Sequence, residues 1–339
     1  MEATVDVVDW RARLRAAIPQ ILIGAVIGTG AFALAVRGVD WHGVGDALLH
    51  TRGSMAGVAL GSVAVALLLS VLRWRLLFAP EHRRLEWSAL TGAILVGQTA
   101  NIVVPARVGE LARIYLIGRR EQVSKARVTA TIVVEKVTDL AVFAVSIVLL
   151  LVAMTLPEWM SRSGVAFVGT AAVLLVATLA LTFWSGALLR LIEAIADRLP
   201  RHWGARLVRV AEAALGGLRS LRDWRFALLV WLLSAAILFV SIATNYFVFL
   251  AMRLPLPPIA ALLLTIVLRI GIAPPSLPGR LGLFQYLIVL ALAMFGVNRT
   301  AALSYSFALY AIAVVPVLIA GTTWLFAFRW SPWKAETSG

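Results

Sequence analysis

The stretch "PARVGELAR", residues 105–113, follows directly on "ALTGAILVGQTANIVV", residues 89–104. A proline, two arginines and a glutamate stand where an apolar helix should run on. Pro105 lacks an N–H and clashes with the preceding helical turn, so it ends the segment before it. Gly109 lets the chain turn at a backbone geometry that other residues resist. What such a break means depends on the solvent around it.

The chain has 339 residues, of which 61% are hydrophobic and only 14% charged. Soluble domains are roughly half apolar and about a quarter charged. Runs such as "VAVALLLSVL" and "LAVFAVSIVLLLVAM" approach or reach the roughly 20 residues that span hydrocarbon. The fold class is therefore all-α, a polytopic membrane protein forming one integral membrane domain over 1–339. Irregular backbone at membrane depth is tolerated only when buried in protein or lining a wet cavity. Arg107 is accordingly expected to face a cavity.

Six apolar segments are long enough to cross: about 17–36, 54–72, 128–155, 163–189, 226–250 and 301–328. The first follows Arg11, Arg13 and Arg15 and is read as an uncleaved helix rather than a signal peptide. Shorter apolar pieces at 88–104, 111–118, 258–273 and 282–297 are broken by Pro, Gly or charge. With a cytoplasmic N-terminus, 22 Lys and Arg fall on the cytoplasmic side and 5 outside. That bias predicts a multi-pass protein of the plasma (inner) membrane with both termini cytoplasmic. It also absorbs most of the net charge of +14, leaving no basic domain for nucleic acid. Residues 88–120 and 257–299 must then each leave and return on one side, as re-entrant hairpins entering from opposite faces.

The two hairpins resemble each other. "PARVG" at 105–109 matches "PGRLG" at 278–282, pairing Pro105 with Pro278, Arg107 with Arg280 and Gly109 with Gly282. Downstream, "VSKA" parallels "VNRTA". Broken segments at corresponding positions of two halves point to an inverted-repeat transporter with its site near the midplane. Repeat 1 covers about 54–155 and repeat 2 about 226–328. Pro105, Gly109, Pro278, Gly279 and Gly282 are the expected hinges. The stretch 190–225 between them alternates apolar and arginine positions with helical period, as an amphipathic linker lying on the anionic cytoplasmic surface.

Charges at bilayer depth are costly and mark function. Arg107, Glu110 and Arg280 lie at the hairpin tips, Arg269 sits inside "TIVLRIGIAPP", and Glu135, Lys136 and Asp139 fall early in a spanning helix. Glu135 and Asp139 share one helix face, and either is expected to pair with Arg107 or Arg113. Two readings of these carboxylates stand: a structural lock, or part of a site. The arginine surplus suits a phosphate, which a guanidinium bonds bidentately. Asn101, Gln98 and Gln285 would add neutral hydrogen bonds.

The chain has no cysteine and its four histidines lie apart, so no metal, thiol or other cofactor is expected. No ATP-binding loop or catalytic motif occurs.

At these residues "LRWRLLF", "NIVVPARVGELARIYL", "VVEKVTDL" and "PSLPGRLGLFQ" resemble, in order, the motifs of the lysylphosphatidylglycerol synthase transmembrane-region family, over roughly 15–328. The resemblance implies lipid-linked, flippase-like transport. By position, Asn101, Pro105, Arg107, Gly109, Glu110, Arg113, Glu135, Asp139, Pro278, Gly279 and Gly282 match the family pattern. Gln285 stands where an acidic residue is usual. No soluble aminoacyl-transferase domain lies within these residues, so lysyl-lipid synthesis is not assigned.

The expected function is translocation of an anionic phosphate-bearing lipid, a phospholipid or a polyprenyl-phosphate type, through a cationic midplane cavity. Its binding residues would be Arg107, Arg280, Arg269, Asn101, Glu110, Arg113, Glu135, Lys136, Asp139 and Gln285. The alternatives are a scaffold for a lipid-modifying enzyme or glycosyltransferase, and a membrane-embedded transferase with Glu110 or Asp139 as base.

Overall fold

The computed structural model describes residues 25–78, 85–104, 108–154, 223–272 and 278–327, with isolated positions between 165 and 208. Among the described residues every regular element is helical. The first half holds α1 (Ala25–Val36), α2 (Trp41–Leu49), α3 (Gly53–Leu77), α4 (Trp87–Val103), α5 (Gly109–Arg120) and α6 (Lys125–Ala153). The second holds α7 (Trp224–Ala251), α8 (Pro258–Gly271), a 3₁₀ turn (Pro278–Arg280), α9 (Leu283–Ala293), α10 (Arg299–Ala313) and α11 (Val315–Ala327).

Four helices are long and apolar enough to cross a membrane: α3, α6, α7 and the run Arg299–Phe326 that α10 and α11 form together. Of the six expected crossings, 17–36 is described only from Ala25 and 163–189 lies mostly outside the described residues. The crossing at 301–328 is interrupted at Val314. Pro316 explains the break, because its ring collides with the carbonyl four residues earlier.

Local chemistry sets the helix ends. Ser124 and Asn298 cap α6 and α10, accepting from the Arg127 and Ala301 N–H groups at 3.2 and 2.8 Å. Val104 takes an extended conformation, as the residue before a proline must, and α4 stops there. In α5, Glu110 in the first turn and Arg119 and Arg120 in the last complement the helix dipole. At about 1.5 Å per residue, α8 (14 residues) and α9 (11 residues) fall short of the roughly 30 Å hydrocarbon core.

Three apolar clusters hold the helices together. One joins Trp74, Leu77, Leu90, Ile94, Ile117 and Ile132 of α3 to α6. A second joins Phe249, Leu264, Ile288, Leu303 and Tyr305 of α7 to α10. A third joins the two groups, with Phe143, Ile147 and Leu150 of α6 packed on Leu238 of α7 and on Leu263 and Ile266 of α8. Between the groups α3 runs along α7, α4 lies on α11, and α8 lies on α6. The α4–α11 approach needs small residues on both sides. A β-carbon at Gly92 would strike the Trp324 indole, and one at Gly321 would strike Thr99 and the Leu95 carbonyl.

Gly109 corrects one expectation. It is the first residue of α5 and is not among the positive-φ glycines. Glycine is needed because a β-carbon there would meet the Gly97 carbonyl of α4 and the Asn101 side chain. In the second hairpin Gly279 (φ +77°) and Gly282 (φ +85°) do adopt the left-handed region, and Arg280 between them sits at φ +59°.

Candidate functional site: a buried arginine–carboxylate network

Glu135 and Asp139 lie one turn apart on α6 and face α3 and α5. Arg113, in the second turn of α5, donates to both oxygens of Glu135, from Nη1 to Oε1 at 3.0 Å and from Nη2 to Oε2 at 2.7 Å. This two-bond geometry is the strong form of an arginine–carboxylate pair. Arg73 of α3 approaches the other side of Glu135, with Nη2 3.5 Å from Oε1, and bonds both oxygens of Asp139. Its Nη1 also donates to Ser234 Oγ of α7 at 2.8 Å. Arg73 is 2% exposed, Glu135 7% and Arg113 8%. The Arg113 guanidinium lies 4.0 Å above the Trp74 ring, whose Nε1 donates to Thr131 Oγ1 of α6 at 3.1 Å.

One turn outward the network reaches the hairpin tip. Lys136 Nζ pairs with Glu110 Oε1 at 2.9 Å, and both side chains are partly exposed. The Asn101 carboxamide receives the Gly109 N–H on Oδ1 at 2.7 Å and also bonds the Glu110 carboxylate. On the second half's side Arg269, at the end of α8, lays its guanidinium 5.6 Å from the Phe143 ring centre. Arg269 is exposed and makes no ion pair among the described residues. Desolvation by the surrounding helices is the largest influence on its charge, ahead of attraction by Asp139 and repulsion by Arg73.

Three arginines therefore face two carboxylates, while Lys136 and Glu110 cancel. The surplus is one positive charge. Arg73 and Arg113 are held by carboxylates, so the surplus is presented at Arg269, beside the 30% exposed side chain of Asp139.

Of the expected site residues, the structure gathers Asn101, Glu110, Arg113, Glu135, Lys136 and Asp139 around the first hairpin, with Arg269 beside them. Gly279, Arg280, Gly282 and Gln285 form a second group, at a turn that packs on α4. The backbone of Pro278 opens that turn. Pro105 and Arg107 lie outside the described residues. Gln98 is exposed on α4.

Sequence reasoning missed Arg73, Trp74, Thr131 and Ser234. Arg73 was counted with the cytoplasmic charges because the apolar run was ended at residue 72. The helix continues to Leu77, and Trp74, Leu77 and Phe78 are all fully buried. The apolar "LLF" after the arginine was the available signal that Arg73 lies a full turn inside.

Away from the membrane-spanning helices, Arg120 latches the base of the first hairpin. Its Nη2 lies 3.0 Å from Glu86 Oε2. Hydrogen bonds from Arg120 and then Ser88 hold the Glu86 carboxyl below its ordinary range. Burial pushes Glu121 upward.

The model of the lysylphosphatidylglycerol synthase TM region matches residues 21–321, nearly the whole chain. The chain belongs to this family. It is also similar to Glycosyltransferase AglD of Haloferax volcanii, at 29% identity over 138 residues. That match spans 40% of this chain and 22% of the relative, so most of the relative lies beyond what the two share.

Proposed function

We propose that this protein is a lipid translocase, moving an anionic, phosphate-bearing lipid between the leaflets of the bilayer. The observation that carries the reading is the exposed guanidinium of Arg269, which makes no ion pair among the described residues and stands beside a buried network that is otherwise neutralised. An exposed cation at membrane depth is costly without a partner. A phosphodiester brings one negative charge and two oxygens that suit the guanidinium plane. Family membership supports a lipid as the cargo. Asp139 competes with the phosphate for Arg269, which favours release. By their place in the sequence, Arg107 and Arg280 are proposed to belong to the same path together with Gln285, with Pro105, Pro278 and the tip glycines shaping it.

We also read the architecture as an inverted repeat of 54–155 and 226–328 with two re-entrant hairpins, α4–α5 and α8–α9. Its support is a run of like features in like order. Helices of 25, 17, 12 and 29 residues in the first half face helices of 28, 14 and 11 and the α10–α11 run in the second. Both last elements open on a side-chain cap, Ser124 or Asn298. The Trp74–Thr131 hydrogen bond between α3 and α6 has its counterpart between α7 and α10, where the Tyr305 hydroxyl donates to the Asn245 carbonyl at 3.1 Å. On this reading six helices cross the plasma membrane, and the Lys and Arg bias places both termini in the cytoplasm.

The test is transbilayer movement of fluorescent lipids in proteoliposomes, with phosphatidylglycerol and a polyprenyl phosphate beside an uncharged diacylglycerol analogue. Faster movement of the anionic lipids alone is expected. No movement of any lipid by folded protein contradicts the reading. The similarity to a glycosyltransferase favours a second reading in that case, a membrane partner for a lipid-modifying enzyme, which co-purification from native membranes would test.

A further inference from the structure

The two hairpin tips solve the same problem with different chemistry. In each, the N–H of the glycine that opens the outgoing helix is captured by a side-chain carboxamide. Gly109 donates to Asn101 Oδ1 and Gly282 donates to Gln285 Oε1, both at 2.7 Å. A backbone N–H can only donate, so the amide oxygen must face it and the NH₂ must point away. At the first tip that NH₂ meets the Glu110 carboxylate, which Lys136 balances.

At the second tip the NH₂ of Gln285 meets nothing. Gln285 is fully buried, and its Nε2 has no hydrogen-bond partner. Buried polar groups almost always find partners. Aligning Gly109 with Gly282 sets Glu110 over Leu283, and aligning the Ser124 and Asn298 caps sets Lys136 over Tyr310. The Tyr310 hydroxyl is turned to the Gly279 carbonyl at 2.9 Å. The second tip thus repeats the first without its carboxylate.

Two kinds of donor lie at this tip: the Gln285 amide, which has no partner on Nε2, and the first-turn backbone N–H groups of the 11-residue helix α9. Arg280 brings a positive charge on the turn just before them. The turn is reachable, since Gly279 and Arg280 are partly exposed and Leu281 is 45% exposed.

We propose that the tip of the second hairpin is an oxyanion subsite. There a phosphate group from a ligand takes the place that Glu110 fills in the first hairpin, bonded by Gln285 Nε2 and the N-terminus of α9 with Arg280 as counter-charge. The subsite rests on the translocase reading only for its role, as a second station for the lipid phosphate besides Arg269.

The full chain in maltoside micelles is titrated with inorganic phosphate, with dihexanoyl phosphatidic acid and with dihexanoyl glycerol, following binding by calorimetry and by the melting temperature. Wild type is expected to bind one or both phosphate probes and not the glycerol. Binding of inorganic phosphate alone assigns the subsite to the phosphate group, and binding of the lipid alone adds an acyl requirement. Gln285→Leu is expected to weaken that binding about tenfold. Gln285→Glu supplies the missing carboxylate, so it should raise the melting temperature of the unliganded protein and abolish binding. Because it retains the oxygen that caps Gly282, it also serves should Gln285→Leu fail to fold. Failure of both phosphate probes to bind wild type overturns the proposal, as does wild-type affinity in both variants. Wild-type affinity in both Gln285 variants removes the subsite alone and leaves the Arg269 reading standing, whereas failure of both probes to bind wild type counts against both.

Discussion

The first hairpin is held by charge and the second by neutral hydrogen bonds. Around α4 and α5, Arg73, Arg113, Glu135 and Asp139 form a buried ionic lattice, extended outward by Lys136 and Glu110. Around α8 and α9 the corresponding interior holds Asn245, whose amide donates to Thr265 at 2.9 Å, and the Tyr305 hydroxyl. On the proposed register Leu309 and Ala313 stand where Glu135 and Asp139 stand. Similar helix lengths and caps thus enclose interiors of opposite polarity. The difference places every buried carboxylate of the network on one side and leaves Arg269, on the other, without an ion pair among the described residues.

The contrast breaks most sharply at Glu135. Glu135→Gln leaves Arg113 and Arg73 short of a counter-charge and should cost about 3–5 kcal/mol of stability, read by thermal unfolding in detergent. Arg113→Leu combined with Glu135→Leu should recover much of that loss, because a buried pair is nearly replaceable by apolar packing. A single-variant loss no larger than about 1 kcal/mol would mean the first half is not held by charge.

The tip glycines give the next effect. Gly109→Ala drives a β-carbon into the Gly97 carbonyl, and Gly282→Ala drives one into the Gly28 carbonyl. Each should cost about 1–3 kcal/mol. Gly282→Ala adds roughly 1–2 kcal/mol for its positive φ. Equal losses would show that backbone conformation does not separate the two tips.

In the second half, Tyr305→Phe removes one neutral hydrogen bond and should cost about 1 kcal/mol, well under the Glu135 effect. The smallest effect lies at the hairpin base. Glu86 titrates below its ordinary value, so its contribution is present above the unfolded carboxylate range and is lost as pH falls through the lowered folded value. Arg120→Gln should flatten that part of the acid limb in a melting-temperature profile and leave neutral-pH stability nearly unchanged.

These contrasts were unevenly legible in the sequence. Pro105, Pro257, Pro258 and the tip glycines punctuate the chain strongly, so the short helices fell close to 88–104, 111–118, 258–273 and 282–297. The Arg113–Glu135 pair was anticipated as one of several pairings, because few charges occur at that depth. Arg73 was not, because a charge at the edge of an apolar run reads as its end. Gly109 was assigned the right importance for the wrong reason: composition does not separate a turn conformation from a close helix approach. The vacant amide of Gln285 was also hidden, since it depends on which way a cap turns.

On the proposed function, the Arg269 guanidinium admits the anionic lipid. Transbilayer movement of labelled phosphatidylglycerol should be compared in proteoliposomes holding wild type, Arg269→Gln and Arg269→Lys. Loss of movement is expected in Arg269→Gln, with partial retention in Arg269→Lys and unchanged melting temperatures in both. Movement at the wild-type rate by folded Arg269→Gln protein would contradict the proposed function.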